Sequence, residues 1–158
     1  MPNDPRIRPT GEKVREAWMS VMGRDLIGAR VLDLFAGTGA LGIEALSRGA
    51  AFTTFVDISP RALRTVAENL DSLGAGGRAR IRRGDALRFV AGIDQSDFDL
   101  VFADPPWSTD HIDQLVDIFL TRPFAPILAL EHPAAQEIDG GGVTRRYGDT
   151  ALTILRNL

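Results

Sequence analysis

The sequence predicts an α/β fold: a doubly wound parallel sheet that ends in an antiparallel hairpin, with helices on both faces. Three observations predict it. From residue 30 onward, short apolar runs alternate with stretches of helical periodicity, the pattern of a parallel sheet wound with crossover helices. A glycine turn, Gly37-Thr38-Gly39, follows the first run. The last two runs are linked only by Gly148-Asp149, and two residues can join antiparallel strands but not parallel ones.

Each element has its own signal. Residues 1–9 form a lead-in with Pro2, Pro5 and Pro9, and Thr10 is placed to cap a helix over 11–22. Val14, Ala17, Trp18, Val21 and Met22 share one face of that helix. Residues 31–35 read as the first strand, and a helix over 39–48 ends near Gly49. The second strand spans 52–57. Ser59-Pro60 then starts a helix, serine as cap and proline in the first turn. Leu63, Val66, Ala67, Leu70 and Leu73 mark its buried face, and Gly74 stops it. Strands follow at 78–83 and 97–103. A helix over 109–121 stops before Pro123, and a fifth strand spans 127–131. A short helical turn fits between Pro133 and Gly140, and the hairpin strands are 143–147 and 150–155.

The 158 residues suit one domain over 1–158, with a lead-in and first helix at 1–29 and a core at 30–158. No apolar run reaches the ~20 residues that span a bilayer, and residues 1–6 lack a signal-peptide core, so a cytoplasmic location is the expectation. The absence of cysteine excludes disulfides and thiolate chemistry. A net charge of −3 disfavours indiscriminate nucleic-acid binding. Residues 1–30 carry a net +2 and the remainder −5, and all basic residues but Lys13 are arginine. His111 and His132 lack metal-ligand spacing and read as polar residues at element ends, with a place for His132 in the lining of the target pocket as the alternative.

The strongest local motif is Asp33-Leu34-Phe35-Ala36-Gly37-Thr38-Gly39. Glycines at a strand-to-helix turn let the backbone approach a ligand closely. Gly37, Gly39 and Gly42 match G-x-G-x-x-G, with Asp57 twenty positions after Gly37, which is also the dinucleotide fingerprint. Asp33 argues for S-adenosylmethionine (SAM) instead: its carboxylate can accept from the ammonium of SAM but would repel a pyrophosphate. Asp57 would hold ribose hydroxyls with either cofactor. Asp85, after the third strand, can take the adenine amine or cap a helix at Ala86, or do both.

Asp104-Pro105-Pro106-Trp107 follows the fourth strand, at the carboxyl edge of the sheet where α/β proteins bind ligands. It has the D/N/S-P-P-Y/F/W form of amino-group methyltransferases. An exocyclic base amine is a poor nucleophile because its lone pair is delocalised. Hydrogen bonds to the Asp104 carboxylate and Pro105 carbonyl would orient it, and Trp107 offers a flat face for the base. The competing reading is a proline strand stop with a packed tryptophan.

With those motifs the chain resembles the bacterial small-subunit (16S) rRNA guanine-N2 methyltransferase family. Arg8-Pro9-Thr10 with Val14-Arg15-Glu16, the stretch 32–49, and Asp104-Pro105-Pro106 before an aromatic carry the resemblance. It implies a Rossmann-like class I SAM-dependent methyltransferase domain, parallel sheet with C-terminal hairpin. It implies that Asp33, Phe35, Ala36, Gly37, Gly39, Asp57, Ile58, Asp85 and Ala86 bind SAM and release S-adenosyl-L-homocysteine, with no metal. It implies Asp104, Pro105, Pro106 and Trp107 as the catalytic set, Arg8, Thr10 and Arg15 near the RNA, rRNA or the small-subunit particle as partner, and a monomer. The family's basic hairpin would stand before Arg8, where this sequence has seven residues. Two alternatives stay open: amino-methylation of DNA adenine or a small molecule, and a SAM-binding module without catalysis. Arg78, Arg80 and Arg82 would share one strand face, either as a solvated edge or as a basic strip that grips RNA.

Overall fold

The computed structural model describes residues 11–107 and 109–157. The elements run α1 (Glu12–Met22), β1 (Arg30–Leu34), α2 (Ala40–Ser47), β2 (Phe52–Asp57), α3 (Pro60–Ser72), β3 (Ala79–Arg83), α4 (Ala86–Ala91), β4 (Leu100–Ala103), α5 (His111–Thr121), β5 (Ile127–Pro133), β6 (Val143–Tyr147) and β7 (Thr150–Arg156). The described strands form one sheet of order β3-β2-β1-β4-β5-β7-β6. β1 to β5 pair in parallel, and β7 runs antiparallel to both β5 and β6. This is the expected doubly wound sheet with its terminal hairpin.

Two cores sandwich the sheet. On one face Trp18, Met19 and Met22 of α1 join Leu41, Ala45 and Leu46 of α2 and Val66 and Leu70 of α3 against Val31, Phe55 and Phe102. Trp18 meets Phe102 edge-on at 5.0 Å. On the other face Ala86 and Val90 of α4 and Ile112, Leu115, Val116 and Phe119 of α5 cover Leu32, Leu34, Val56 and Val101. The strands of the centre are buried on both faces, which is why they read as continuous apolar runs rather than alternating ones.

Several boundaries differ from the sequence reading, each for a local reason. The fourth strand begins at Leu100, not 97, because Asp94 and Asp97 close a turn: Asp97 N–H donates to the Asp94 carbonyl (3.0 Å), and Asp94 N–H to the Asp97 carboxylate (2.9 Å). Arg78 ends a 3-10 turn (Gly76–Arg78) instead of opening β3. Its guanidinium donates to the carbonyls of Leu46 and Ala50, a structural clamp that removes it from the expected arginine strip. The short helical turn after Pro133 is absent. β5 continues to Pro133 because β7 pairs with it that far, and a turn closed by Gln136 N–H on the Pro133 carbonyl follows. The N-cap of α1 is Gly11; Thr10 lies outside the described residues. Phe35 leaves the first strand in a left-handed conformation, φ 58°. Among the described residues no helix is long and apolar enough to cross a membrane.

Candidate functional site

Strand order reverses direction between β1 and β4, and in open α/β sheets the crevice at that point, outside the carboxyl ends of the strands, is where ligands bind. The loops after β1, β2, β3 and β4 meet there.

The loop after β1 is held from below by two carboxylates. Asp33, buried in β1, takes the Gly42 N–H on Oδ2 at 3.0 Å, which fixes the first turn of α2. Asp57, at the end of β2, takes the Gly37 N–H on Oδ2 at 2.9 Å and the Ser59 N–H on Oδ1 at 2.9 Å. Gly39 N–H closes the turn on the Ala36 carbonyl at 2.8 Å, and Ala36 N–H reaches the Val56 carbonyl at 3.0 Å. Gly37 and Gly39 have φ of 58° and 81°, the left-handed region that glycine enters without penalty. A side chain at Gly37 would project into open space, whereas at Gly42 a Cβ would lie 2.4 Å from the Phe55 ring. The third glycine therefore serves helix-to-sheet packing, and the first leaves the loop's outer side clear. Phe35 is the only non-glycine with positive φ among the described residues, a strain of about 1–3 kcal/mol that clusters at functional sites.

Burial holds the Asp33 carboxyl well above the usual carboxylate range, and the nearby charges of Asp104 and Asp57 push the same way, against the Gly42 hydrogen bond. Three carboxyl groups near one glycine loop make a site that suits a cationic ligand, whose charge would favour the ionised form of Asp33, and disfavours an anionic one. The residues present thus fit the amino-acid end and sulfonium of SAM better than a pyrophosphate.

Further along the edge, Asp85 caps α4 by accepting the Arg88 N–H at 3.0 Å, and Ala86 is buried in the core beneath it. Asp85 also lines a cleft with Ile58, Gly84 and Phe89. Ile58 is 66% exposed, an apolar side chain left open at the rim of that cleft.

The loop after β4 is built differently. Asp104, Pro105 and Pro106 lie outside any helix or strand; Pro105 is buried and Pro106 exposed. The Thr109 hydroxyl donates to the Pro106 carbonyl at 2.8 Å and accepts the His111 N–H at 3.3 Å. Trp107 is half-buried against the α5-side core. Arg15 sits half-buried on α1, and Arg8 and Thr10 lie outside the described residues.

Three features go beyond the sequence reading. His111, the first residue of α5, faces Phe35 with ring centroids 5.7 Å apart, so the two loops touch through a ring pair. Its Nδ1 is buried and makes no hydrogen bond among the described residues. Glu131 is fully buried one residue past Leu130, whose register partner is Ala103, so it stands level with Asp104 at the edge of the sheet. A carboxylate closing an otherwise apolar strand was the signal available for it. His132 turns away into the hairpin: Nε2 lies 2.6 Å from the Thr153 hydroxyl, which meets Thr144 at 2.7 Å, and Nδ1 is 2.9 Å from the Pro133 carbonyl.

A family model described as "Conserved hypothetical protein 95" matches residues 1–140. The chain belongs to that family. "Ribosomal RNA small subunit methyltransferase D" of Escherichia coli (strain K12) is 35% identical over 118 residues, covering 75% of this chain and 59% of the relative. The chain spans about three fifths of the length of the curated relatives it matches. Among solved structures, a hypothetical protein of Thermus thermophilus superposes with a TM-score of 0.82 at 28% identity, covering 98% of this chain and 91% of that one. An RNA methyltransferase from Salinibacter ruber, crystallised with S-adenosyl-L-homocysteine, has the same fold at 17% identity: TM-score 0.74, 94% and 93% covered. The architecture is that of the class I SAM-dependent methyltransferases.

Proposed function

We propose that the chain is a SAM-dependent N-methyltransferase acting on the N2 amine of a guanine in small-subunit rRNA, and that residues 1–158 act as one catalytic domain. The observation that carries the reading is the meeting, at one sheet edge, of a carboxylate-braced glycine loop and Asp104-Pro105-Pro106-Trp107. The E. coli relative's name supports RNA as the substrate.

When bound, SAM supplies a methyl group already activated on a sulfonium. Every other task falls to the chain's own residues. Gly37 and Gly39 let the backbone approach the methionyl end beside Phe35 and Ala36, and Asp33 supplies charge to its ammonium. Asp57 serves the ribose, and Ile58, Asp85 and Ala86 serve the adenine. The Asp104 carboxylate and Pro105 carbonyl accept the two amine hydrogens, which points the nitrogen lone pair at the methyl group. Pro106 keeps the backbone rigid, so this geometry is set before substrate arrives. Trp107 takes the base face. Arg15, with Arg8 and Thr10, contacts the RNA.

The test is methyl transfer in vitro from labelled SAM to naked small-subunit rRNA and to assembled particles, followed by nucleoside mass spectrometry. N2-methylguanosine is the expected product. Methylated adenosine, or tight SAM binding with no transfer to any rRNA substrate, would replace this reading with one of the two alternatives.

A further inference from the structure

A second concave surface lies away from the site just described. α4 has only six residues, and its buried Ala86 and Val90 cover the carboxyl-end part of the β2 face. The rest of that face, toward the β3 edge, stays open. Arg80 pairs in register with Thr54, and Arg82 with Val56, so both arginines rise on this uncovered face. The result is a groove of about 630 Å³ whose floor and far wall are Phe52, Thr54, Phe89 and Phe98, and whose edge is Arg80, Arg82 and Arg83. That volume lies within the ~300–1,000 Å³ of ligand clefts.

The charges are the informative part. Arg30, at one end, is committed to Asp99 through two side-chain hydrogen bonds of 3.1 and 3.2 Å. Arg80, Arg82 and Arg83 make no hydrogen bond or ion pair among the described residues. One carboxylate, Asp97, also lines the groove and leaves the balance positive. Three unpaired guanidinium groups over three half-buried aromatic rings, in a chain of net charge −3, is a local arrangement that overall composition opposes. Arg83 and Phe89 line both this groove and the cleft that holds Ile58 and Asp85, so the basic surface continues to the carboxyl edge of the sheet.

We propose that this groove is a second RNA-binding site that holds a single-stranded segment flanking the target nucleotide. Guanidinium groups suit phosphate oxygens, and exposed ring faces suit unstacked bases. The groove runs from Arg30 and Phe52, at the amino ends of β1 and β2, to Arg83 at the carboxyl end of β3, so its Arg83 end adjoins the sheet edge that carries the catalytic loop, three strand steps of ~4.8 Å away. The proposal rests on the rRNA reading above and adds where the RNA is gripped.

The probe is a fluorescent single-stranded RNA of about twelve nucleotides, within known site sizes, titrated by anisotropy against the full chain over a range of salt. Arg80→Gln/Arg82→Gln should weaken binding at low salt and flatten the log–log salt slope by about 1.4, roughly 0.7 per lost phosphate contact. Phe98→Leu should weaken binding severalfold with the slope retained. Arg24→Gln/Arg64→Gln, which removes the same charge from other exposed positions, should leave the slope unchanged. SAM affinity should be the same in all of them. No measurable binding by the wild type, an unchanged slope in the Arg80/Arg82 variant, or an equal loss in the Arg24/Arg64 variant would overturn the proposal. A wild type that methylates rRNA with a KM for RNA untouched by the Arg80/Arg82 change sinks the groove alone. A wild type that methylates no rRNA sinks the reading beneath it.

Discussion

The loop after β1 and the loop after β4 sit side by side at the same sheet edge, yet they are made rigid by different means. The first is tied by carboxyl groups that accept backbone N–H groups: Asp57 from Gly37 and Ser59, Asp33 from Gly42. The second carries two proline rings and, among the described residues, a hydroxyl bridge from Thr109. The difference teaches what each can do. In the first loop the carboxylates that would serve a ligand also hold the backbone, so binding and folding share residues. In the second the two proline rings restrict the backbone, so the role proposed for Asp104 in orienting the amine can be tested apart from the rigidity of the loop.

If that division holds, the largest effect comes from the second loop. Asp104→Ala should cut turnover by roughly 10²-fold or more while SAM affinity measured by calorimetry stays within about twofold. An equal loss of cofactor affinity would make Asp104 part of the first loop's machinery and erase the contrast.

Next in size is a change under the first loop. Gly42→Ala places a Cβ against the Phe55 ring at 2.4 Å and near Thr53 at 2.8 Å. Overpacking of this kind costs about 1–3 kcal/mol, readable in a denaturant titration. Because α2 starts at this loop, SAM affinity should fall with it.

Asp33→Asn sharpens the comparison by separating charge from hydrogen bond, since the amide oxygen can still accept the Gly42 N–H. The Asp33 carboxyl is raised by burial, so ionising it in the folded chain costs stability. The sign follows: its contribution is fully present below the unfolded value of about 4 and is lost as pH rises through the folded value. The asparagine variant should therefore lose that decline and be at least as stable as wild type at neutral pH. Its SAM affinity should drop roughly tenfold, about 1.4 kcal/mol of lost attraction to a cation. Unfolding curves from pH 4 to 8 and a calorimetric titration read both halves.

The smallest effect belongs to Thr109→Ala. It removes the bridge between the Pro106 carbonyl and the His111 N–H, worth about 0.5–1 kcal/mol of stability. Turnover should fall more than SAM affinity does.

Much of this site was legible in the sequence because its chemistry sits in contiguous motifs. Asp33 to Gly39 completes the first apolar run and Asp104 to Trp107 follows the fourth, and a parallel sheet brings such ends to one edge. The linkage between the loops was not legible. The Asp57-to-Gly37 bond spans twenty positions, and the Phe35–His111 contact joins residues on different elements. Glu131 was hidden because strand 127–131 looked complete without asking why an acid should end it. The arginine strip failed in part because Arg78 alternates correctly with Arg80 and Arg82, yet the 3-10 turn before β3 swings it to the carbonyls of Leu46 and Ala50. Strand periodicity cannot announce where a strand begins. The groove itself depends on α4 being short, and the Gly92-to-Asp97 turn that ends it carries no period to read.

The most direct test of the whole account is nucleoside mass spectrometry of small-subunit rRNA from cells with the gene, without it, and carrying Asp104→Ala in its place. One N2-methylguanosine should be present in the first and absent from the other two. The same modification level in all three, or a lost methyl group on a different nucleoside, would contradict it.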